Sequence, residues 1–275
     1  MRPKPIDLSK CRHLYPFESR FMEMNGFRYH YVDEGSGSPV LMVHGNPTWS
    51  FYYRRLIQAL SPRFRSIAVD HIGCGLSDKP PVAHYDYTLD CRIDDLERFI
   101  YRLELKEKIS LVVHDWGGMI GIAYALRHLK RIDRIVLLNT AAFFPPRGRP
   151  LPLRLKLIRH VKPFAKIAVL GFNVFARSAL FMATAKGMPG DVKSGFLAPY
   201  NCWRNRIATL RFVEDIPIKP GDPSFETVKT VQNELHRLRD LPMLICWGMK
   251  DFVFTQAYLD EWRHRFPDAC VHTLE

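Results

Sequence analysis

Five short apolar runs in this chain each end on polar or glycine-rich residues, and those endings hold its candidate chemistry. Val40-Leu41-Met42-Val43 leads into His44-Gly45-Asn46-Pro47, and Ser66-Ile67-Ala68-Val69 into Asp70-His71-Ile72-Gly73-Cys74-Gly75-Leu76-Ser77. Ser110-Leu111-Val112-Val113 runs into His114-Asp115-Trp116-Gly117-Gly118. The run 134–138 ends at Asn139-Thr140, and the run 243–247 at Gly248-Met249-Lys250-Asp251. The third ending has the form of a strand–nucleophile–helix elbow, a turn so tight that only small residues fit just beyond the nucleophile; Gly117 and Gly118 supply them. Serine is the usual occupant. Here the position holds Asp115, and that changes the reaction. A carboxylate with a reference pKa of ~3.9 is already ionised at neutral pH and attacks without a base. Attack on an sp³ carbon leaves an alkyl ester on the protein, which a base-activated water can cleave at the aspartyl carbonyl. An aspartate that only caps the next helix is the lesser reading, given the surrounding pattern.

The elements that must position these endings are legible in the same runs. Between most of the apolar runs lie amphipathic stretches of helical length, such as 53–60, 91–103 and 119–128. Continuous apolar strands alternating with helices predict an α/β fold, a mostly parallel sheet covered by helices on both faces. Ligands then bind just past the carboxyl ends of the strands. Ahead of the first run, Asn25-Gly26 sits between two alternating segments and predicts a tight hairpin. The alternation breaks between about 141 and 228, a Pro-rich, aromatic and basic stretch, which predicts an inserted helical cap. The expected division is therefore core over 15–140, cap over 141–228 and core again over 229–275. In the cap, Phe143, Phe144, Phe172, Phe175, Phe181, Tyr200 and Trp203 are candidates to line an apolar substrate tunnel. Two tempting motifs carry less: Gly73-x-Gly75 lacks the third glycine of a dinucleotide fingerprint and reads as a tight turn, and His44 reads as a structural hydrogen-bonder.

Four segments together resemble the haloalkane dehalogenase branch of the α/β-hydrolases: His-Gly-Asn-Pro-Thr-Trp-Ser (44–50), Asp-His-Ile-Gly-Cys-Gly-Leu-Ser-Asp (70–78), Val-His-Asp-Trp-Gly-Gly-Met-Ile-Gly (113–121) and Trp-Gly-Met-Lys-Asp-Phe-Val-Phe (247–254). Within that branch, Pro-Thr-Trp-Ser-Phe-Tyr-Tyr-Arg (47–54), Asn-Thr-Ala-Ala-Phe (139–143) and Phe-Val-Glu-Asp-Ile-Pro (212–217) are most similar to the subgroup containing the β-lactone decarboxylases of bacterial olefin biosynthesis. The resemblance implies an α/β-hydrolase fold with Asp115 as nucleophile. It also implies that the Asn46 side chain and the Trp116 indole N–H stabilise a departing halide or lactone oxygen. The backbone N–H groups of the same two residues would form the oxyanion hole, and Asp251 would orient the base. The reaction expected first is dehalogenation through an alkyl-enzyme ester; the alternative is β-lactone decarboxylation to a long-chain olefin. Epoxide hydrolysis ranks lower. It uses cap tyrosines, for which Tyr200 could be offered, and an aromatic where Asn46 stands. A non-catalytic binding protein on the same fold is the remaining alternative. None of these implies a metal or organic cofactor.

The family's base is a His in a short loop after the last strand. Here Ala269-Cys270-Val271-His272-Thr273-Leu274-Glu275 reads as that strand, and His272 lies inside it, so the base role is not assigned to His272. The expectation is a chain whose C-terminal end is incomplete, able to be alkylated at Asp115 but not to turn over. The composition, 47% hydrophobic and 25% charged over 275 residues, excludes disorder and coiled coil. No run approaches the ~18 apolar residues of a bilayer span. Six widely spaced cysteines with no C-x-x-C pair read as reduced thiols, so a cytoplasmic location is expected and a zinc site is not. The net charge of +12 is concentrated: no acidic residue lies between Ala142 and Gly190, against nine Lys and Arg. The segment 142–190 is thus a candidate for peripheral contact with an anionic membrane or an acidic protein, set against a plain solvated face. No nucleic-acid-binding signature accompanies the charge. The expected ligand is an apolar small molecule.

Overall fold

The computed structural model describes residues 4–146 and 152–275. Eight strands make one sheet: β1 Arg20–Met24, β2 Phe27–Glu34, β3 Pro39–Val43, β4 Arg65–Val69, β5 Ile109–Asp115, β6 Ile132–Thr140, β7 Met243–Gly248 and β8 Cys270–Leu274. Their order is β1-β2-β4-β3-β5-β6-β7-β8. The pairings of β1 with β2 and of β2 with β4 are antiparallel, and all others are parallel. The hairpin turns at Asn25 (φ 54°) and Gly26 (φ 78°), the left-handed pair that a two-residue connection demands.

The central strands are apolar on both sides because both sides are covered. Leu41, Val43, Leu111, Val113, Ile135 and Leu137 face one core, shared with helices α2 (Leu89–Arg102), α3 (Trp116–Arg127) and α10 (Gln256–Arg265). The intervening Val40, Met42 and Val112 face the other, against Trp49 and Phe51 of the preceding turn and Ile57 on α1 (Arg54–Leu60). This is the burial that continuous apolar runs anticipate in a parallel sheet. After β3 the chain turns to β4 on one side, while β5 lies on the other. The crevice at that reversal, between the carboxyl ends of β3 and β5, is where such sheets place ligands.

Between β6 and β7 come α4 (Leu153–His160), α5 (Lys162–Ala165), a π-helical turn (Lys166–Gly171), α6 (Val174–Met182), α7 (Gly190–Leu197), α8 (Ile207–Glu214) and α9 (Phe225–Glu234). Leu153, Leu157, Val161, Phe164 and Ala168 recur at helical spacing, but Pro163 occupies the first turn of α5 and the stretch is split into two helices rather than one. Arg147 and Arg149 of the basic segment lie outside the described residues. The last of these helices, α9, sends Val228 and Val231 into the larger core. Strand β8 closes the sheet at one edge and is exposed at four of its five residues.

Candidate active site

Strand β5 ends at Asp115, whose φ of 52° and ψ of −128° turn the chain sharply into α3. Such a conformation is costly for a non-glycine residue and persists only when its surroundings impose it. Here they do so by close approach. A Cβ on Gly117 would strike the Val43 carbonyl, one on Gly118 the Thr140 hydroxyl, and one on Gly45 the Asp115 carboxylate. The Thr140 hydroxyl donates to the Asp115 carbonyl at 2.5 Å, and the buried Trp262 indole N–H donates to the Thr140 carbonyl at 2.8 Å. The elbow is thereby tied to the neighbouring strand and to α10.

The Asn46 backbone N–H donates to Asp115 Oδ1 at 2.6 Å, and the Trp116 backbone N–H also favours the charged carboxylate. Burial acts the other way and dominates, with the charge of Asp251 adding to it, so the Asp115 carboxyl is pushed up to about 7. The Asn46–Pro47 peptide bond is cis. The Asn46 side-chain amide donates to the Thr209 carbonyl of α8 at 3.0 Å, which fixes which end carries nitrogen and leaves its second N–H to give. The Trp116 indole packs on Phe212 with ring centroids 5.4 Å apart.

Asp251 follows β7, and its Oδ1 accepts from the backbone N–H groups of Val253 at 2.7 Å and Phe254 at 2.9 Å. Burial raises its pKa, against those two donors and the Asn139 amide. Asn139 itself (φ 31°) clasps β7, giving its Nδ2–H to the Gly248 carbonyl at 3.0 Å and accepting the Gly248 N–H at 2.7 Å.

Asn46, Asp115, Trp116, Asn139 and Asp251 all line one cavity of about 670 Å³, as do Leu274 and Glu275 at the end of β8. Its walls are otherwise largely apolar, with Phe143, Phe144, Leu155, Phe175 and Leu180 among them. Four of the seven aromatic residues expected in a tunnel are elsewhere. Phe172, Phe181 and Trp203 are exposed, while Tyr200 is buried outside the cavity with its hydroxyl given to the Thr48 carbonyl at 3.0 Å. That also removes Tyr200 as an epoxide-activating acid. His44 is a buried connector: its Nδ1 meets the Gly45 carbonyl at 2.8 Å, and its Nε2 accepts the His71 N–H at 3.1 Å. Gly73 (φ 90°) and Gly75 (φ 47°) shape a turn around the Asp70 carboxylate, not a phosphate cradle.

Two cavity residues escaped the sequence reading. Tyr52 and His114 stack with centroids 4.3 Å apart and 15° between planes, and both line the cavity. Burial lifts the Tyr52 hydroxyl well above its usual range, with Asp251 and Asp115 adding to the shift. Burial also pushes His114 down to about 3, so it stays neutral and is a very weak base. His114 directly precedes Asp115, and that adjacency was the one available signal. His272 sits within exposed β8, 3.7 Å from the Cys270 sulfur, and is not among the residues that line the cavity.

Residues 38–165 match the family described as alpha/beta hydrolase fold. The chain is 50% identical over 260 residues to a cis-3-alkyl-4-alkyloxetan-2-one decarboxylase of Shewanella oneidensis, covering 94% of this chain and 81% of that one. It is 35% identical over 272 residues to haloalkane dehalogenase 2 of Mycobacterium bovis, covering 98% and 91%. A mutant of haloalkane dehalogenase DatA from Agrobacterium tumefaciens C58 superposes with a TM-score of 0.80 at 25% identity, covering 93% of this chain and 88% of that one.

Proposed function

The chain belongs to the haloalkane dehalogenase-like branch of the α/β-hydrolases, and from that membership we propose that it decarboxylates cis-3,4-dialkyl β-lactones to olefins with Asp115 as nucleophile. The observation that carries the proposal is an elbow carboxylate on an apolar cavity, in a chain half identical to a relative named for an oxetan-2-one, which is a β-lactone. The sequence reading put dehalogenation first. The higher sequence identity, 50% against 35%, now favours its alternative.

The chemistry needs only groups that the cavity holds. The carboxylate oxygen not bonded to the Asn46 N–H attacks the lactone's sp³ ring carbon from behind, and the ring C–O bond breaks. The ring oxygen leaves as the substrate's own carboxylate, for which the Asn46 amide and the Trp116 indole N–H would be the donors. Donors aimed at developing charge are typically worth about 3 kcal/mol each. The C–CO₂ bond then breaks, its electrons form the C=C bond, and Asp115 departs as carboxylate. Charge and atoms balance with no water consumed and no proton moved. Inversion followed by anti departure makes a cis lactone give a cis olefin.

Hydrolytic dehalogenation is the second reading, supported by the dehalogenase relatives. It needs a water-activating base beside Asp251. His114 is too weak a base for that, and a His carried just after β8 would enter there, since Leu274 and Glu275 line the cavity.

The test is incubation with a cis-3,4-dialkyl β-lactone and, separately, a long-chain 1-bromoalkane. Products are read as olefin and CO₂, or halide and alcohol. We expect cis olefin, and at least about a thousandfold loss in Asp115→Asn. Catalytic halide release without olefin would replace the proposal by the second reading. Trans olefin would overturn the two-step path.

A further inference from the structure

The outer face of the inserted helices combines two features that burial in a soluble core does not explain. Leu153, Leu157, Val161 and Phe164 fall at helical spacing, and all four are exposed, Leu153 at 81%. Their neighbours Ala165, Val169 and Leu170 turn inward instead, onto Leu210 of α8. Beyond them Ile167, Phe172 and Phe181 are exposed as well, the last two at 68% each. Lys162, Lys166, Arg177 and Lys186 are exposed in the same segment, and no acidic residue occurs from 142 to 190. Arg159 is not counted, since it pairs with Asp222 at 2.7 Å.

Single exposed hydrophobics are ordinary, but a concentration of them in one acid-free stretch marks an interaction face. Cations alone would suit an acidic protein. Large aliphatic and aromatic side chains interleaved with cations suit the boundary of an anionic bilayer, where the former enter the acyl edge and the latter meet lipid phosphates. The helical path fits lying on a surface: Lys162–Gly171 and Val174–Met182 bend by 71° at their junction, and among the described residues no single helix is long and apolar enough to cross a membrane.

We propose that this face docks the protein on an anionic lipid bilayer. Helix α6 then stands between lipid and cavity: Val174 and Phe181 point outward, while Ala176, Ala179 and Leu180 line the cavity. A membrane-dissolved substrate thus has a short route to Asp115. Only that route rests on the function proposed above; the docking does not.

Co-sedimentation with phosphatidylglycerol–phosphatidylethanolamine vesicles, beside pure phosphatidylcholine vesicles, tests the docking without reference to catalysis. We expect partition onto the anionic vesicles only, weakened at about 0.5 M NaCl. The pair Lys162→Glu with Lys166→Glu, and separately Phe172→Ser with Phe181→Ser, each lower partition at least about tenfold. These side chains are exposed, and thermal melting of each variant verifies that it is folded. Reversing Lys106, Lys108 and Lys130 to Glu, at the amino ends of β5 and β6, changes more charge at the opposite edge of the sheet and leaves partition unaltered. No partition onto anionic vesicles overturns the proposal and leaves the face to a protein partner. Equal partition onto phosphatidylcholine, or equal loss in the opposite-edge variant, overturns it too.

Discussion

Asp115 is buried, and the proposed reaction needs its charge, so its ionisation would couple rate to stability in opposite directions. Its folded carboxyl titrates near 7, whereas an unfolded one titrates near ~3.9. Between those values the folded chain keeps a proton that the unfolded chain has lost, so this group makes stability fall as pH rises from about 4 to 7. The cost is complete above 7 and is on the order of 4 kcal/mol. Asp115→Asn therefore raises the urea midpoint at pH 8 and barely changes it at pH 4. An unchanged midpoint at pH 8 would remove burial as the source of the shift. Alkylation by a 1-bromoalkane, followed by intact mass, should accelerate through pH 7 as the nucleophile ionises. The tight elbow at Asp115 was legible because its geometry is local: a strand, an aspartate and two glycines close behind it. The anchoring of Asn46 by Thr209 was not, because 163 residues separate the partners. Nor was the Tyr52–His114 stack, in which neither residue type announces the other.

The elbow works as an element only because three strands' ends approach within contact distance. Gly118→Ala places a methyl against the Thr140 hydroxyl, which also holds the Asp115 carbonyl. The expected cost is about 2 kcal/mol in denaturant unfolding, with a larger loss of alkylation rate than of stability, since the Asp115 carboxylate itself is displaced. Equal unfolding midpoints for Gly118→Ala and the parent would show that α3 can shift without strain. The central strands, the Asn25-Gly26 hairpin and helices α1, α2 and α3 could be read from apolar periodicity and turn residues, because a sheet covered on both faces leaves few other uses for such runs. The inserted helices could not be read as well. Pro163 breaks the repeat and the π-helical turn after it rotates the following faces, so spacing alone did not tell which aromatics look inward. Phe143, Phe144 and Phe175 do, while Phe172 and Phe181 look out.

For the whole molecule, the switch in strand order that puts β4 on one side of β3 and β5 on the other explains why residues 69 positions apart in sequence meet at one oxygen atom. The buried Asp70 gives the fold its acid limit. Burial alone would raise its carboxyl, but His30 at 2.7 Å and the N–H groups of Ser50 and Leu76 hold it well below the usual range. It therefore contributes stability above the unfolded carboxyl's pKa, and that contribution drains away as pH falls below about 4. Asp70→Asn should erase that part of the acid dependence in a denaturation series, and an unaltered slope would assign it to another group. At the far side of the sheet, the outer edge of exposed β8 has no strand beside it among the described residues. Such an edge is a template on which a second copy can add its own strand. The net charge of +12 keeps copies apart in dilute buffer. Salt shortens the reach of that repulsion, so light scattering should show self-association that grows, rather than dissolves, as ionic strength is raised.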